Sequence, residues 1–120
     1  MSRKSKTEPA KELSPLALQL IASRFKALSE PVRLRLLNIL MQGERTVGQL
    51  VEASGSGQAN VSKHLAVLRG AGMVGTRKEG LSTVCFISDE IVKDLCEMMC
   101  SRLREEMESK AAALSSDQKD

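Results

Sequence analysis

Apolar residues recur at helical intervals through most of this chain, and the period changes only once. Leu18, Ile21, Phe25 and Leu28 share one helical face, with Leu16 and Leu20 beside them. Ser14-Pro15 supplies the start, an N-cap followed by a proline at the first helical position. A second helix restarts at Ser29-Glu30-Pro31, is filled by Leu34, Leu36, Leu37, Ile39 and Leu40, and ends at Gly43. Arg33 and Arg35 project from its polar side. Thr46-Val47-Gly48-Gln49 has the form of a capping box and opens a short third helix through Leu50, Val51 and Ala53. Ser54-Gly55-Ser56-Gly57 is a turn. A fourth helix over 58–71 sets Val61, Leu65 and Leu68 on one side. Gly72 stands just past it, where a helix C-terminus favours a left-handed residue.

After Gly72 the period becomes alternating. Residues 73–78 read as one strand, Glu79-Gly80 as a turn and 81–87 as a second strand. Ser88-Asp89-Glu90 then caps a long last helix. Its stripe is Val92, Leu95, Cys96, Met99, Leu103 and Met107, widened by Ile91 and Met98. It is expected to fray around Ala111 to Leu114.

A short helix, a glycine-bearing turn and the helix at 58–71 form a helix-turn-helix. The hairpin behind them is a wing. The fold expected is mainly α with a β-hairpin: a winged helix-turn-helix over residues 13–114. Residues 1–12 are expected to be a disordered basic tail and 115–120 a polar tail. The first and last helices carry more apolar surface than one small domain can bury. The economical solution is a homodimer packed through those two helices across a two-fold axis.

The outer face of the fourth helix carries Ala59, Asn60, Ser62, Lys63 and Ala66, and no acid stands between Glu52 and Glu79. Small and hydrogen-bonding side chains let a helix approach base edges in a major groove. Arg77 and Lys78, placed at the wing tip, suit phosphate or minor-groove contact. Net charge is +3, unevenly placed: residues 1–80 hold thirteen basic and six acidic side chains, residues 81–120 five and nine. A basic front and acidic rear suit a polyanion met by the front. Aromatics are two Phe with no Tyr or Trp, which weakens a single-strand reading that needs stacking platforms. No apolar run approaches the ~20 residues that span a bilayer, so no membrane partner is expected. The N-terminus has no secretory pattern and three cysteines make no disulfide framework, so a cytoplasmic location is expected.

Residues 25–87 resemble the ArsR/SmtB family of bacterial metal- and thiol-responsive repressors. The likeness is carried by Phe-Lys-Ala-Leu-Ser-Glu-Pro-Val-Arg-Leu-Arg-Leu-Leu at 25–37 and by Gln-Ala-Asn-Val-Ser-Lys-His-Leu-Ala-Val-Leu-Arg at 58–69. Ala-Gly-Met-Val at 71–74 and Arg-Lys-Glu-Gly at 77–80 complete it. The resemblance implies a dimeric winged helix that represses its double-stranded operator until an effector releases it. It implies DNA contacts from Gln58, Asn60, Ser62, Lys63 and His64, and from Arg77 and Lys78 in the wing. One departure is Ser56-Gly57 where such proteins usually place Leu-Ser; glycine is a weaker cap, so a looser helix start is expected. His64, the only histidine, flanks the Val61/Leu65 stripe, and a structural role stands level with DNA contact.

The family's known effector sites do not match. Its arsenic or cadmium cysteines correspond to Thr46 and Gly48. Its zinc or nickel site would begin at Asp89, but no histidine follows. Its persulfide pair needs a second-helix cysteine where Asn38 stands. Cys85, Cys96 and Cys100 remain. Cys96 and Cys100 lie at i and i+4, neighbours on one helical face. Two adjacent thiolates suit As(III) or another soft ion, or a redox reaction. Cys85 is a doubtful third ligand within one chain, and a partner-subunit thiol is the alternative. Packing is an equal reading for these cysteines. No cofactor is required. An enzyme is not expected: one His, no catalytic carboxylate cluster and no Gly-rich phosphate loop are present. The alternative to a repressor is a winged helix that acts through protein contacts without sensing.

Overall fold

The computed structural model describes residues 11–118. The elements run α1 (Pro15–Leu28), α2 (Pro31–Met41), β1 (Arg45–Thr46), α3 (Val47–Ser54), α4 (Gln58–Gly70), β2 (Val74–Glu79), β3 (Ser82–Ile87) and α5 (Glu90–Gln118). Most of the expected basic tail lies outside the described residues.

Local chemistry sets most of these boundaries. The Ser14 hydroxyl accepts from the Ala17 amide at 3.1 Å, with Pro15 opening α1. Thr46 and Gln49 close a reciprocal capping box at α3, at 3.1 and 2.9 Å. Gly55 ends α3 at φ 75°. At the end of α4, Gly72 at φ 76° lets its amide donate to the Arg69 carbonyl and the Met73 amide to the Leu68 carbonyl. That is the paired closure of a Schellman end, and it drops Met73 into the core. Asp89 caps α5 by accepting from the Ile91 amide at 3.0 Å.

Leu36, Leu37, Ile39 and Leu40 make α2 the centre of the core, with Leu50 of α3 and Val61, Leu65 and Leu68 of α4 against it. Val74 and Cys85 close it from the sheet, Met73 from the residue before β2 and Val92 from α5. The two arginines of α2 serve its neighbours. Arg33 Nε donates to the Ala27 carbonyl at 2.7 Å, and Arg35 Nη2 to the Ala53 carbonyl at 3.0 Å. Each guanidinium satisfies a carbonyl at a helix C-terminus, where positive charge is favoured.

Three features differ from the sequence expectation. The hairpin is part of a three-stranded sheet in the order β1-β3-β2, because Arg45 and Thr46 pair antiparallel with Cys85 and Val84. Two residues are too few for alternation to show. The hairpin turn is centred one residue later, at Gly80 and Leu81, with Gly80 at φ 64°. The last helix shows no break at 111–114, where three alanines and Leu114 favour helix, and it runs to Gln118.

Along α1 only Ala27 is buried, and Leu16, Leu18, Leu20 and Phe25 are each more than half exposed. On α5, Met98, Met99, Leu103 and Met107 are likewise open. The radius of gyration is 18.6 Å, against about 13 Å for a compact chain of this size. The two terminal helices project from the core with their apolar faces uncovered. Among the described residues, no helix is long and apolar enough to cross a membrane.

Candidate nucleic-acid interface

The α4 helix buries Val61, Leu65 and Leu68 and turns Gln58, Ser62 and Lys63 outward; Asn60 is half-buried at the margin. The outer face holds no carboxylate. Gly57 stands at the N-cap without a side chain, so no cap hydrogen bond claims the first-turn amides. These amides face the same end of the helix as Gln58.

His64 belongs to the inner side. It is 6% exposed, and its Nδ1 meets Arg33 Nη1 at 3.0 Å. Arginine only donates, so Nδ1 is the acceptor and the proton sits on Nε2. Of the two readings open to His64 in the sequence, this burial and this bond fit the packing and hydrogen-bonding one. The cause is position: one residue beyond Lys63 the helix has turned toward α2.

The wing also differs from its expected form. Arg77 pairs across the sheet with Val84, two rungs below the tip. Its guanidinium donates to Glu44 Oε1 at 2.7 Å through Nη2 and to Glu79 Oε2 at 2.8 Å through Nε, and lies 5.8 Å from the Phe86 ring centroid. The Arg77 hydrogen bond holds the Glu44 carboxyl below its usual range, and the two carboxylates push Arg77 further up. Arg77, read from the sequence at the wing tip, thus stands below it and is braced by two carboxylates. Lys78 is exposed, and Leu81 projects fully from the tip.

The thiols separate into two environments. Cys85, on β3, is fully buried in the core, where burial pushes its thiol up. Cys96 and Cys100 line a cavity of about 530 Å³ between α1, α2 and α5. Its other walls include Phe25, Leu28, Leu34, Asn38 and Met99. Cys96 is half-buried and Cys100 exposed; burial, then the neighbouring Cys100, raises the Cys96 thiol. Cys85 does not line the cavity, so the structure does not bring this doubtful third ligand to the pair. Among the described residues, no group of three or more His, Cys, Asp or Glu side chains is placed to hold a metal ion.

The sequence profile of the "Bacterial regulatory protein, arsR family" matches residues 30–76. Over 104 residues the chain is 33% identical to an HTH-type transcriptional regulator of Mycobacterium tuberculosis, covering 86% of this chain and 90% of that one. The chain belongs to the ArsR family of bacterial regulatory proteins.

This ArsR-family protein is also 41% identical over 71 residues to a probable mercury resistance operon repressor of Streptomyces lividans. That match covers 59% of this chain and spans 57% of the repressor's length. In three dimensions it is similar to the homodimeric winged helix-turn-helix DNA-binding domain from Mycobacterium bovis solved by NMR. The TM-score is 0.74 at 29% identity, covering 85% of this chain and 94% of that one. Within the ArsR-family fold, Gln58, Ser62 and Lys63 share the outward face of one helix and Lys78 stands on the adjoining wing. Sequence reasoning missed Glu44 and the bonding of Arg33. Glu44 meets Arg77 across 33 positions, which only the β1–β3 pairing explains.

Proposed function

We propose that this protein is a homodimeric transcriptional repressor of the ArsR type and not an enzyme. It binds double-stranded operator DNA through α4 and the wing and is released by an effector that reacts at Cys96 and Cys100. The observation that carries the DNA reading is the acid-free face of α4, with Gln58, Ser62 and Lys63 outward over a buried Val61/Leu65/Leu68 stripe. Such a face presents donors and acceptors to base edges while lysine neutralises phosphate. Asn60 and Lys78 serve the margin and the wing. The homodimer is supported by the uncovered α1 and α5 faces and by the Mycobacterium bovis relative, which is homodimeric.

The effector reading rests on two thiols, one helical turn apart, in an apolar cavity. Two sulfurs fit a soft two-coordinate ion or a thiol-reactive species. Three-coordinate As(III) would draw its third sulfur from the partner subunit. Both thiols lose a proton on binding an ion, and Cys96 holds its proton more tightly than a free thiol. Release by an ion therefore strengthens as pH rises toward the raised Cys96 range.

The test uses a duplex enriched by the wild-type protein from a random-sequence library. Release by As(III), Cd(II) and persulfide is followed for wild type, Cys96→Ser, Cys100→Ser and the double variant. The expected result is release of wild type, stronger at higher pH, and none of the double variant. A double variant released as readily as wild type puts the effector site elsewhere. Failure to enrich any duplex removes the DNA reading itself.

A further inference from the structure

Arg33 holds three elements together with one side chain. Its Nε donates to the Ala27 carbonyl at 2.7 Å and its Nη2 to the Lys26 carbonyl at 3.3 Å, both in the last turn of α1. Its Nη1 reaches Nδ1 of His64 on α4 at 3.0 Å. Arg33 itself grows from the first turn of α2. A guanidinium is planar, so its donors diverge at fixed angles. Three bonds from one such fork fix α1 and α4 relative to α2 in direction as well as distance.

We propose that Arg33 is a positioning residue for DNA recognition, acting through His64. The apolar stripe of α4 is narrow and non-directional, and side chains such as Val61 and Leu65 tolerate small rotations of the helix. The Arg33–His64 bond does not, because it is part-buried and its breakage leaves a desolvated guanidinium N–H without an acceptor. Lys63 precedes His64 and Asn60 lies one turn before it, so the rotation that satisfies His64 also aims the outward face. The same guanidinium grips the end of α1, one of the two helices read as the dimer contact. The joint thus ties the aim of each recognition helix to the frame that spaces the pair. This role rests on the DNA reading above. Specific binding depends on aim and spacing, whereas binding to arbitrary duplex depends mainly on charge.

The experiment compares two substitutions of His64 that separate the bond from the packing. His64→Asn keeps an acceptor near the Nδ1 position but leaves a void. His64→Phe keeps the ring volume and removes the acceptor. His64→Phe is expected to lower affinity for the library-enriched duplex about tenfold or more. Its binding to a scrambled duplex should stay within about twofold. His64→Asn is expected to melt lower than His64→Phe yet to retain operator preference. Arg33→Lys keeps the charge but cannot span three acceptors, and should match His64→Phe. The double variant Arg33→Lys/His64→Phe should be no worse than the weaker single. His64 is the only histidine, so its ring nitrogen resonances report the tautomer directly, with Nδ1 expected unprotonated. The role is overturned if affinity follows melting temperature across the variants, if the two losses multiply, or if the proton is on Nδ1. A wild type that enriches no duplex overturns the DNA reading and this role with it. A wild type that binds while His64→Phe binds equally well overturns the role alone.

Discussion

A guanidinium held between two carboxylates meets a phosphate only after one of them lets go. Arg77 is so held, by Glu44 and Glu79, and the trio carries more negative than positive charge. Glu44 is a carboxylate throughout the neutral range, and the Arg77 hydrogen bond lowers its pKa further. Its depressed value means that this brace is fully present above the ordinary carboxylate range and is lost as pH falls through the lowered one. Under the proposed DNA reading, the brace competes with phosphate for Arg77 at neutral pH. Glu44→Gln is expected to raise affinity for arbitrary duplex by about two- to five-fold, the scale of an exposed ion pair. It should also steepen the salt dependence by up to about one counterion. Anisotropy titrations at several salt concentrations measure both, and no change in either would remove Arg77 from the phosphate contacts. The partner of Arg77 is not legible in sequence, since 33 residues separate the two charges. Ser14, Thr46, Gln49 and Asp89 were legible because a cap bonds within three residues of itself. His64 was ambiguous for a different reason: it sits at the boundary of the stripe, where periodicity alone does not assign a side.

Among the elements, the hairpin shows why a glycine stands inside a strand. Gly75 pairs with Phe86, and a Cβ on Gly75 would lie 2.6 Å from the Phe86 ring. The ring crosses the bare backbone, and its face in turn receives the Arg77 guanidinium. One missing side chain thus sets the aromatic ring that helps to brace the wing. Gly75→Ala is expected to destabilise the fold by about 1–3 kcal/mol, as overpacked sites do, measured by urea unfolding. A variant as stable as wild type would mean that the ring moves aside freely. The long helices were readable because their apolar spacing repeats over several turns. β1 was not, because it has two residues and its only signature is the partner strand. Three alanines and Leu114 favour continuation of α5 through 111–114, whereas Ser-Ser-Asp at 115–117 carries no helical signal in the sequence.

At the scale of the molecule, the uncovered faces of α1 and α5 decide the assembly. Leu16, Leu18 and Leu20 on one helix and Met99, Leu103 and Met107 on the other are open in a single chain. Contiguous exposed apolar surface of this kind marks an interaction site. A two-fold pairing covers both helices with copies of themselves and leaves α4 and the wing outside the contact. Two recognition helices so joined can meet successive major-groove faces about 34 Å apart. Leu103 is the apt residue to test, because it does not line the thiol cavity and lies two turns beyond Cys96 on α5. Wild type should sediment at twice the 13.1 kDa chain mass. Leu103→Glu places a charge on the apolar face of α5 and its symmetry mate beside it, and should sediment as a monomer. The core around Leu36, Leu50 and Leu68 does not include that face, so the winged domain should remain folded. A monomer binds only one half-site, and loss of the linked second contact is expected to weaken operator binding by about a hundredfold. Affinity measured above and below the dimer dissociation concentration separates the two contributions. A Leu103→Glu monomer that binds the operator as tightly as wild type would show that one recognition helix and one wing suffice.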